Sequence, residues 1–240
     1  MSGILRLFFH RLGISLIVLV GVSMLIFAIA RIIPGDPARI ALGPNATIEQ
    51  IANLRAELHL DAPLHVQYTH FVTDLLRGNL GVSLYTNRSV TQDIAEFLPA
   101  TLELVFLAGF IMVAIGLPLG ILSARFRGRW QDHLIRVITL LTVSAPAFVW
   151  AVILMLLLAF YLPLFPIAGR INDIYEIEHI TGFLTIDTIL AGNWAAFGSA
   201  VHHLILPAIA LSLSGIGQAA RLTRSNMVET YEKPYIEMAH

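Results

Sequence analysis

Residues 104–124 read LVFLAGFIMVAIGLPLGILSA and are the clearest indication of the fold class. It contains no Asp, Glu, Lys or Arg. A helix needs about 20 mostly apolar residues to cross roughly 30 Å of bilayer hydrocarbon, and all its backbone hydrogen bonds then close within the segment. The stretch therefore predicts a membrane-spanning helix.

The composition agrees with this prediction. Hydrophobic residues make up 57% of the 240 residues and charged residues 13%, whereas soluble domains usually carry about 25% charge. The 15 Lys and Arg against 16 Asp and Glu give no overall field that would attract nucleic acid. Without cysteine there is no disulfide framework, thiolate nucleophile or cysteine-based metal site. These properties indicate an all-α integral membrane protein.

Four stretches free of Asp, Glu, Lys and Arg are long enough to span a membrane: residues 12–30, 104–124, 137–169 and 193–220. The third is long for one helix, so we predict its span near residues 137–162. Pro163 and Pro166 would end that span, because proline has no amide hydrogen to donate. Pro146 and Pro207 fall inside the third and fourth spans and predict a kink in each.

The basic residues predict the orientation, since Lys and Arg concentrate in cytoplasmic loops. They cluster in the loop after the second span, with Arg125, Arg127, Arg129 and Arg136, and in the tail, with Arg221, Arg224 and Lys233. The segment between the third and fourth spans has only Arg170 among several acidic residues. We therefore expect the N-terminus, the loop and the tail to be cytoplasmic.

Residues 31–99 form an external segment in this topology, with three short helices predicted. Thr47 and Gln50 suit a capping box for the first helix. The second would follow Pro63 and stop before Gly78. The third would end at Pro99. Such amphipathic helices are typical of membrane surfaces.

Candidate chemical groups are few. Glu103 lies near the outer end of the second span, where we expect a hydrated interfacial carboxylate that tolerates exchange for Gln, although an intramembrane carboxylate is a functional suspect by default. His202 and His203 suggest either a metal site or an interfacial or packing role. The interfacial or packing role is favoured, because adjacent residues point to different helix faces and no carboxylate is close in sequence. The spans contain no Ser-His-Asp set, phosphate-binding loop or paired carboxylates for hydrolysis or proton-coupled transport.

Two further segments are distinctive. Pro34-Gly35-Asp36-Pro37 predicts a rigid structural turn, since proline restricts φ and Asp can bond to nearby backbone. Residues 221–238 form a polar, helix-compatible run suited to a bundle end or to docking a partner.

With these segments the chain resembles the dipeptide, oligopeptide and nickel permease family of binding-protein-dependent ATP-binding-cassette (ABC) importers, along almost its whole length. The motifs that support this resemblance are Pro34-Gly35-Asp36-Pro37, Leu60-Asp61-Ala62-Pro63-Leu64, Gln67-Tyr68, Gly78-Asn79-Leu80-Gly81-Val82-Ser83, Leu98-Pro99-Ala100-Thr101-Leu102-Glu103-Leu104 and Arg221-Leu222-Thr223-Arg224-Ser225-Asn226-Met227. Each motif is weak alone, and their order makes the set specific. His59 and Asn79 depart from the usual glycine and aspartate of the family.

The resemblance implies a type I ABC importer permease bundle with four spans, truncated before the last two. It implies an N-terminal span with an external helical segment over residues 1–95 and the importer transmembrane domain over residues 96–240. It also places the ATPase-coupling segment at Tyr235, Glu237, Met238 and Ala239. No catalytic residue, cofactor or metal is implied.

The function implied is import of a small solute across the bacterial cytoplasmic membrane. Partners would be a second permease, two ATPase subunits and an external solute-binding protein. A peptide is the favoured substrate, with nickel, glutathione and oligosaccharides as alternatives. The rival hypothesis is a channel or secondary transporter without an ATPase, which would require ionisable residues buried within the spans. A membrane-anchored receptor would require a larger external domain than residues 31–99 provide.

Overall fold

In a computed structural model of the chain, nine α-helices account for most of the described residues. The structure describes residues 2–32, 36–43, 46–57, 59–83, 85–86 and 88–231. The helices are α1 (Ser2–Ile32), α2 (Pro37–Leu42), α3 (Ile48–Glu57), α4 (Leu64–Leu76), α5 (Val90–Arg125), α6 (Trp130–Ser144), α7 (Ala147–Leu154), α8 (Leu184–Leu190) and α9 (Trp194–Tyr231). A π-helical turn, Met155–Tyr161, continues α7.

Three helices are long and apolar enough to cross a membrane: α1 within Leu5–Ile29, α5 and α9. A fourth crossing is possible if α6 and α7 with its π-helical extension form one broken span, whose two parts are bent by 100°. The predicted all-α membrane protein is confirmed.

The third predicted span differs from expectation, because it is two helices rather than one kinked helix. Ala145 adopts an extended conformation, with φ −116° and ψ 145°. Pro146 then precedes the first turn of α7. The residue before a proline is driven away from the helical region, so a complete break forms here. The end before Pro163 is as predicted, since the π-helical segment stops at Tyr161.

The prediction that a short helix ends at Pro99 was wrong. Helix α5 begins at Val90 and continues through both Pro99 and Pro118. Proline removes one helical hydrogen bond, but its φ is compatible with a helix, so tertiary packing can preserve the helix through it. The Pro99 ring lies against Gly182, where an added Cβ would be 2.9 Å from its Cγ. Helix α9 likewise runs through Pro207.

Met1–Ile94 forms the first of two compact units. Helix α4 packs on α1, where the hydroxyls of Ser23 and Tyr68 are 2.8 Å apart. The predicted capping box is confirmed: the Thr47 amide donates to Gln50 Oε1 and the Gln50 amide donates to Thr47 Oγ1. Helix α4 ends before Gly78, which has φ +81°.

The predicted turn at residues 34–37 is only partly described. Pro34 and Gly35 lie outside the described residues. Asp36 caps α2 by accepting from the Ala38 amide at 3.1 Å, and Arg55 Nη1 donates to Asp36 Oδ2 at 2.9 Å. Burial raises the pKa of the Asp36 carboxyl, but the bonds from Arg55 and the backbone outweigh it and lower the pKa below its usual value. Asp36 therefore joins α2 to α3.

The second unit is Ala95–His240, in which α6, α7 and α8 pack on α9. Small residues permit close approach of the helices, as is common in membrane bundles. At Gly120 of α5 an added Cβ would lie 2.6 Å from the Ala220 carbonyl oxygen, and at Gly217 of α9 it would lie 2.6 Å from that of Thr139. The buried apolar residues of α9 are also mostly small, at positions 196, 200, 208, 210 and 220.

Candidate functional site

A buried carboxylate joins three helices where α5 ends and α6 begins. We call Ser123, Gly128, Asp132 and Arg224 the Asp132 cluster. Asp132 is 1% exposed and accepts from Ser123 Oγ at 2.6 Å, the Gly128 amide at 3.1 Å, and Arg224 Nε and Nη2 at 2.8 Å each. Both carboxylate oxygens are therefore satisfied.

Local sequence explains part of this arrangement. Gly128 has φ +75° and closes the short turn between α5 and α6, a conformation that glycine adopts without steric cost. Asp132 lies in the first turn of α6, where a negative charge is favoured by the helix dipole. The bidentate bond to Arg224 compensates for burying the carboxylate, which would be costly alone. The pair consequently fastens α9 to α6.

A second buried carboxylate, Glu103, lies on α5. We call Glu103, Arg170, Gly182 and Thr185 the Glu103 cluster. Glu103 is 9% exposed. Its Oε1 accepts from the Thr185 amide at 2.7 Å and from the Thr185 hydroxyl, and its Oε2 accepts from Arg170 Nη2 at 3.0 Å.

The interpretation of Glu103 as a hydrated interfacial group was wrong. The chain between α7 and α9 folds over this part of α5 and supplies the donors that water was expected to provide. Arg170 Nη2 also donates to the Gly182 carbonyl at 3.1 Å. The carboxylate is thus held by residues 67 and 82 positions away in the sequence.

Asp187 stabilises the Glu103 cluster through hydrogen bonds to the turn that contains Gly182. It is fully buried and accepts from the amide and hydroxyl of Thr181 and from the Gly182 amide. Burial raises the pKa of the Asp187 carboxyl, but the hydrogen bonds from Thr181 and Gly182 outweigh it and lower the pKa. Asp187 therefore stays ionised at neutral pH and fixes the turn whose carbonyl Arg170 contacts.

Two cavities adjoin the Glu103 cluster. One of about 690 Å³ is lined by Arg170, Tyr175 and His179 among others. Another of about 270 Å³ is lined by Glu103, Arg170 and His203. Because Arg170 lines both, its side chain lies where the two spaces approach each other.

The two clusters mark opposite ends of one membrane crossing. Glu103 and Ser123 are separated along α5 by about 30 Å of helix at 1.5 Å per residue, close to the hydrocarbon thickness. Asp132, at the start of α6, lies at the Ser123 end. Arg170, beyond α7, lies at the Glu103 end. The broken α6–α7 pair therefore crosses from the Ser123 end to the Glu103 end of the membrane-spanning part of α5 rather than re-entering.

His202 and His203 contact backbone near these cavities. The His202 ring nitrogen Nε2 is 2.9 Å from the Leu164 carbonyl oxygen, and His203 Nδ1 is 2.8 Å from that of Ser199. Within the part of the chain that the structure describes, no three potential metal-ligating side chains come together. The two backbone contacts are of the kind expected from the interfacial or packing role favoured from sequence.

Sequence reasoning missed Asp132 and the partners of Glu103. An isolated acidic residue within an arginine-rich loop was an available signal for Asp132, since a compensating pair is expected there. Thr185 gave no comparable signal. Tyr235, Glu237, Met238 and Ala239 lie outside the described residues, which end at Tyr231 of α9.

Two family models together match most of the chain. Residues 116–240 match the binding-protein-dependent transport system inner membrane component, and residues 4–105 match the N-terminal component of such systems. The chain belongs to this permease family. The predicted resemblance is confirmed, and the permease has the type I ABC importer fold.

Curated relatives match almost the whole permease chain. The Probable D,D-dipeptide transport system permease protein of Escherichia coli K12 is 42% identical over 93% of the chain. The di/tripeptide transport system permease protein of Pseudomonas aeruginosa is 39% identical over 96%. The dipeptide transport system permease protein of E. coli K12 is 36% identical over 98%. The chain spans 66%, 69% and 70% of these relatives' lengths, respectively.

Membership of this family establishes what kind of subunit the permease is. The permease is an integral inner-membrane component of a transport system that works with a binding protein. It is a transport subunit and not an enzyme.

Proposed function

We propose that the chain is a permease subunit that translocates di- or oligopeptides through an ABC importer. The observation that carries this proposal is the similarity, along 93% to 98% of the chain, to three permeases named for dipeptide or di/tripeptide transport. Nickel, glutathione and oligosaccharides stay as alternative substrates.

The proposed assembly contains a second permease, two ATPase subunits and an extracytoplasmic binding protein. The N-terminus and the loop between α5 and α6 would face the cytoplasm, because four arginines lie in or beside that loop. Residues 1–95 would form an N-terminal span with an external helical segment, and residues 96–240 the importer transmembrane domain.

The proposed coupling route runs through α9. ATP-driven closure of the ATPases would move the segment containing Tyr235, Glu237, Met238 and Ala239, which follows α9 in the sequence. Displacement of α9 would reach α6 and α5 through the Arg224–Asp132 and Ser123–Asp132 bonds. Access would then change at the Glu103 end, where the two cavities lie.

One observation supports the rival hypothesis of a channel or secondary transporter without an ATPase. Ionisable residues are buried within the helices after all, at Glu103 and Asp132. Each is paired with an arginine near one end of the bundle, which favours a structural role over a proton relay. Dependence of uptake on ATP separates the two hypotheses.

Ala239→Trp in the full-length subunit tests the coupling proposal. A docking helix needs a small residue where it approaches its partner closely, and overpacking costs about 1–3 kcal/mol in a core. We expect weaker ATPase association, or hydrolysis without uptake, with transport reduced roughly tenfold. Glu237→Gln should have a smaller effect, since exposed ion pairs contribute about 0–1 kcal/mol. Co-purification and ATP-driven peptide uptake in reconstituted vesicles measure both.

Ala191→Trp is the matched control, because Ala191 is exposed beyond α8 at the other end of the bundle. Normal ATPase association and normal uptake with Ala239→Trp would show that the proposed coupling segment does not contact the ATPase. Uptake by the wild-type complex that needs no ATP would instead refute the importer proposal as a whole.

A further inference from the structure

A cavity between α6 and α9 is lined in part by Ser123 and Arg224 of the Asp132 cluster, and the proposed transport cycle makes no use of its interior. Its volume is about 420 Å³, well above the ~30 Å³ that one water occupies in the liquid. Its floor is formed by the buried residues Ser123, Thr139 and Ala220. Three arginines line it: Arg136, Arg221 and Arg224.

The cavity has an excess of positive charge. Arg224 is neutralised by the bidentate bond to Asp132. Arg136 and Arg221 are exposed, and neither guanidinium makes a hydrogen bond or ion pair to the residues that the structure describes. Ser225 and His133 add further polar groups at the rim. The cavity therefore suits an anionic group with several acceptor oxygens.

The other side of the cavity is apolar. Val137 and Leu140 line it and are 56% and 65% exposed. Leu140 follows Arg136 by four residues, so the two side chains share one face of α6. A ligand that satisfies both sides must have an anionic head and an apolar tail.

We propose that this cavity binds an acidic phospholipid. The phosphate group lies between Arg136 and Arg221, and an acyl chain covers Val137 and Leu140. Basic pockets between membrane helices on the cytoplasmic side bind anionic lipid headgroups in this way. Free phosphate would leave the apolar side uncovered, and so would an acidic segment of another protein.

The test uses the full-length permease, purified in a neutral detergent. It is titrated with dioleoylphosphatidylglycerol, with dioleoylphosphatidylcholine or with inorganic phosphate alone, and bound molecules are counted by native mass spectrometry. We expect preferential binding of phosphatidylglycerol. The double variant Arg136→Gln/Arg221→Gln should lower its apparent affinity roughly 30-fold, from the usual contribution of an arginine near an anionic membrane surface.

Arg125→Gln/Arg129→Gln is the matched control, because it removes the same charge at the same end of the bundle without touching the cavity lining. It should change the affinity by less than about twofold. Equal losses in both double variants would overturn the proposal, as would equal binding of the two lipids. Binding of inorganic phosphate as tightly as phosphatidylglycerol would also overturn it. If the first double variant does not purify intact, the single variants decide, each with an expected loss of roughly fivefold.

Discussion

At the residue scale, two buried carboxylates are stabilised in the same way at opposite ends of the membrane-spanning part of α5, Glu103 on α5 itself and Asp132 on α6. Glu103 pairs with Arg170 and Asp132 with Arg224. A buried charge is expensive unless a partner and hydrogen bonds satisfy it. Both carboxylates meet that condition, since each also accepts bonds from neutral donors. Each pair therefore specifies which segments meet.

We predict that Glu103→Gln destabilises the full-length permease by about 1–3 kcal/mol, contrary to the tolerance expected from sequence alone. The amide carries no charge to pair with the Arg170 guanidinium. Its NH2 group must also take the place of one of the two carboxylate oxygens, where it faces a donor and finds no acceptor. Arg170→Gln should cost a similar amount, and the double variant less than the sum. Thermal unfolding of the purified permease measures all three.

Glu176→Gln is the control for this cycle, because Glu176 is exposed in the same segment between α7 and α9. It should change stability by less than about 0.5 kcal/mol. Strict additivity of the Glu103 and Arg170 substitutions would show that the two side chains do not interact.

At the element scale, the close approach of α9 to α6 depends on a missing side chain. A Cβ on Gly217 would lie 2.5 Å from Thr142 Oγ1 and 2.6 Å from the Thr139 carbonyl oxygen. The Thr142 hydroxyl is engaged, since it donates to the same Thr139 carbonyl at 2.9 Å. The backbone oxygen cannot move without shifting α6, so contact between these helices requires glycine at this position.

We predict that Gly217→Ala destabilises the permease by about 1–3 kcal/mol through overpacking of α9 against α6. Gly198→Ala, on the same helix, is the matched control, because an added Cβ at Gly198 would meet nothing within 4 Å. Alanine there should be neutral or slightly stabilising, since it favours the helix over glycine. A Gly217→Ala protein that unfolds at the wild-type temperature would contradict the close packing.

At the scale of the whole molecule, the order of crossings follows from the two clusters. The Asp132 cluster unites the end of α5, the start of α6 and the C-terminal part of α9. The Glu103 cluster unites the other part of α5 with the segment between α7 and α9. The arginine-rich loop and the residues after α7 are therefore on opposite sides of the membrane.

We predict that alkaline phosphatase fused after Arg129 is inactive and that the same enzyme fused after Glu178 is active, because the enzyme folds only outside the cytoplasm. The arginines of the loop hold it on the cytoplasmic side. Fusions of a cytoplasmic reporter at the same two positions should give the reciprocal pattern. Phosphatase activity at Arg129 alone would show that the orientation is opposite to the one proposed. Equal activity at both sites would contradict the membrane crossing by α6 and α7.

Sequence alone was sufficient to predict the fold class, the four apolar segments and several local features. Hydropathy and length predict spans, because a helix in lipid must satisfy its own backbone. The capping box at Thr47 and Gln50 and the end of the third span before Pro163 involve only residues near in sequence, so local chemistry was sufficient. The complete break at Pro146 exceeded the predicted kink.

The pairing of the polar residues depends on tertiary structure and could not be predicted from sequence. Arg224 is 92 residues from Asp132 and Arg170 is 67 residues from Glu103, so no local pattern connects them. Their pairing depends on the rotation and close approach of whole helices, which small residues such as Gly217 permit. Sequence reasoning predicts that residues at helix ends are exposed, because the segment that covers them is distant in the sequence. A buried charge pairs with the opposite charge that the surrounding helices bring close to it, because an unpaired buried charge would strongly destabilise the fold.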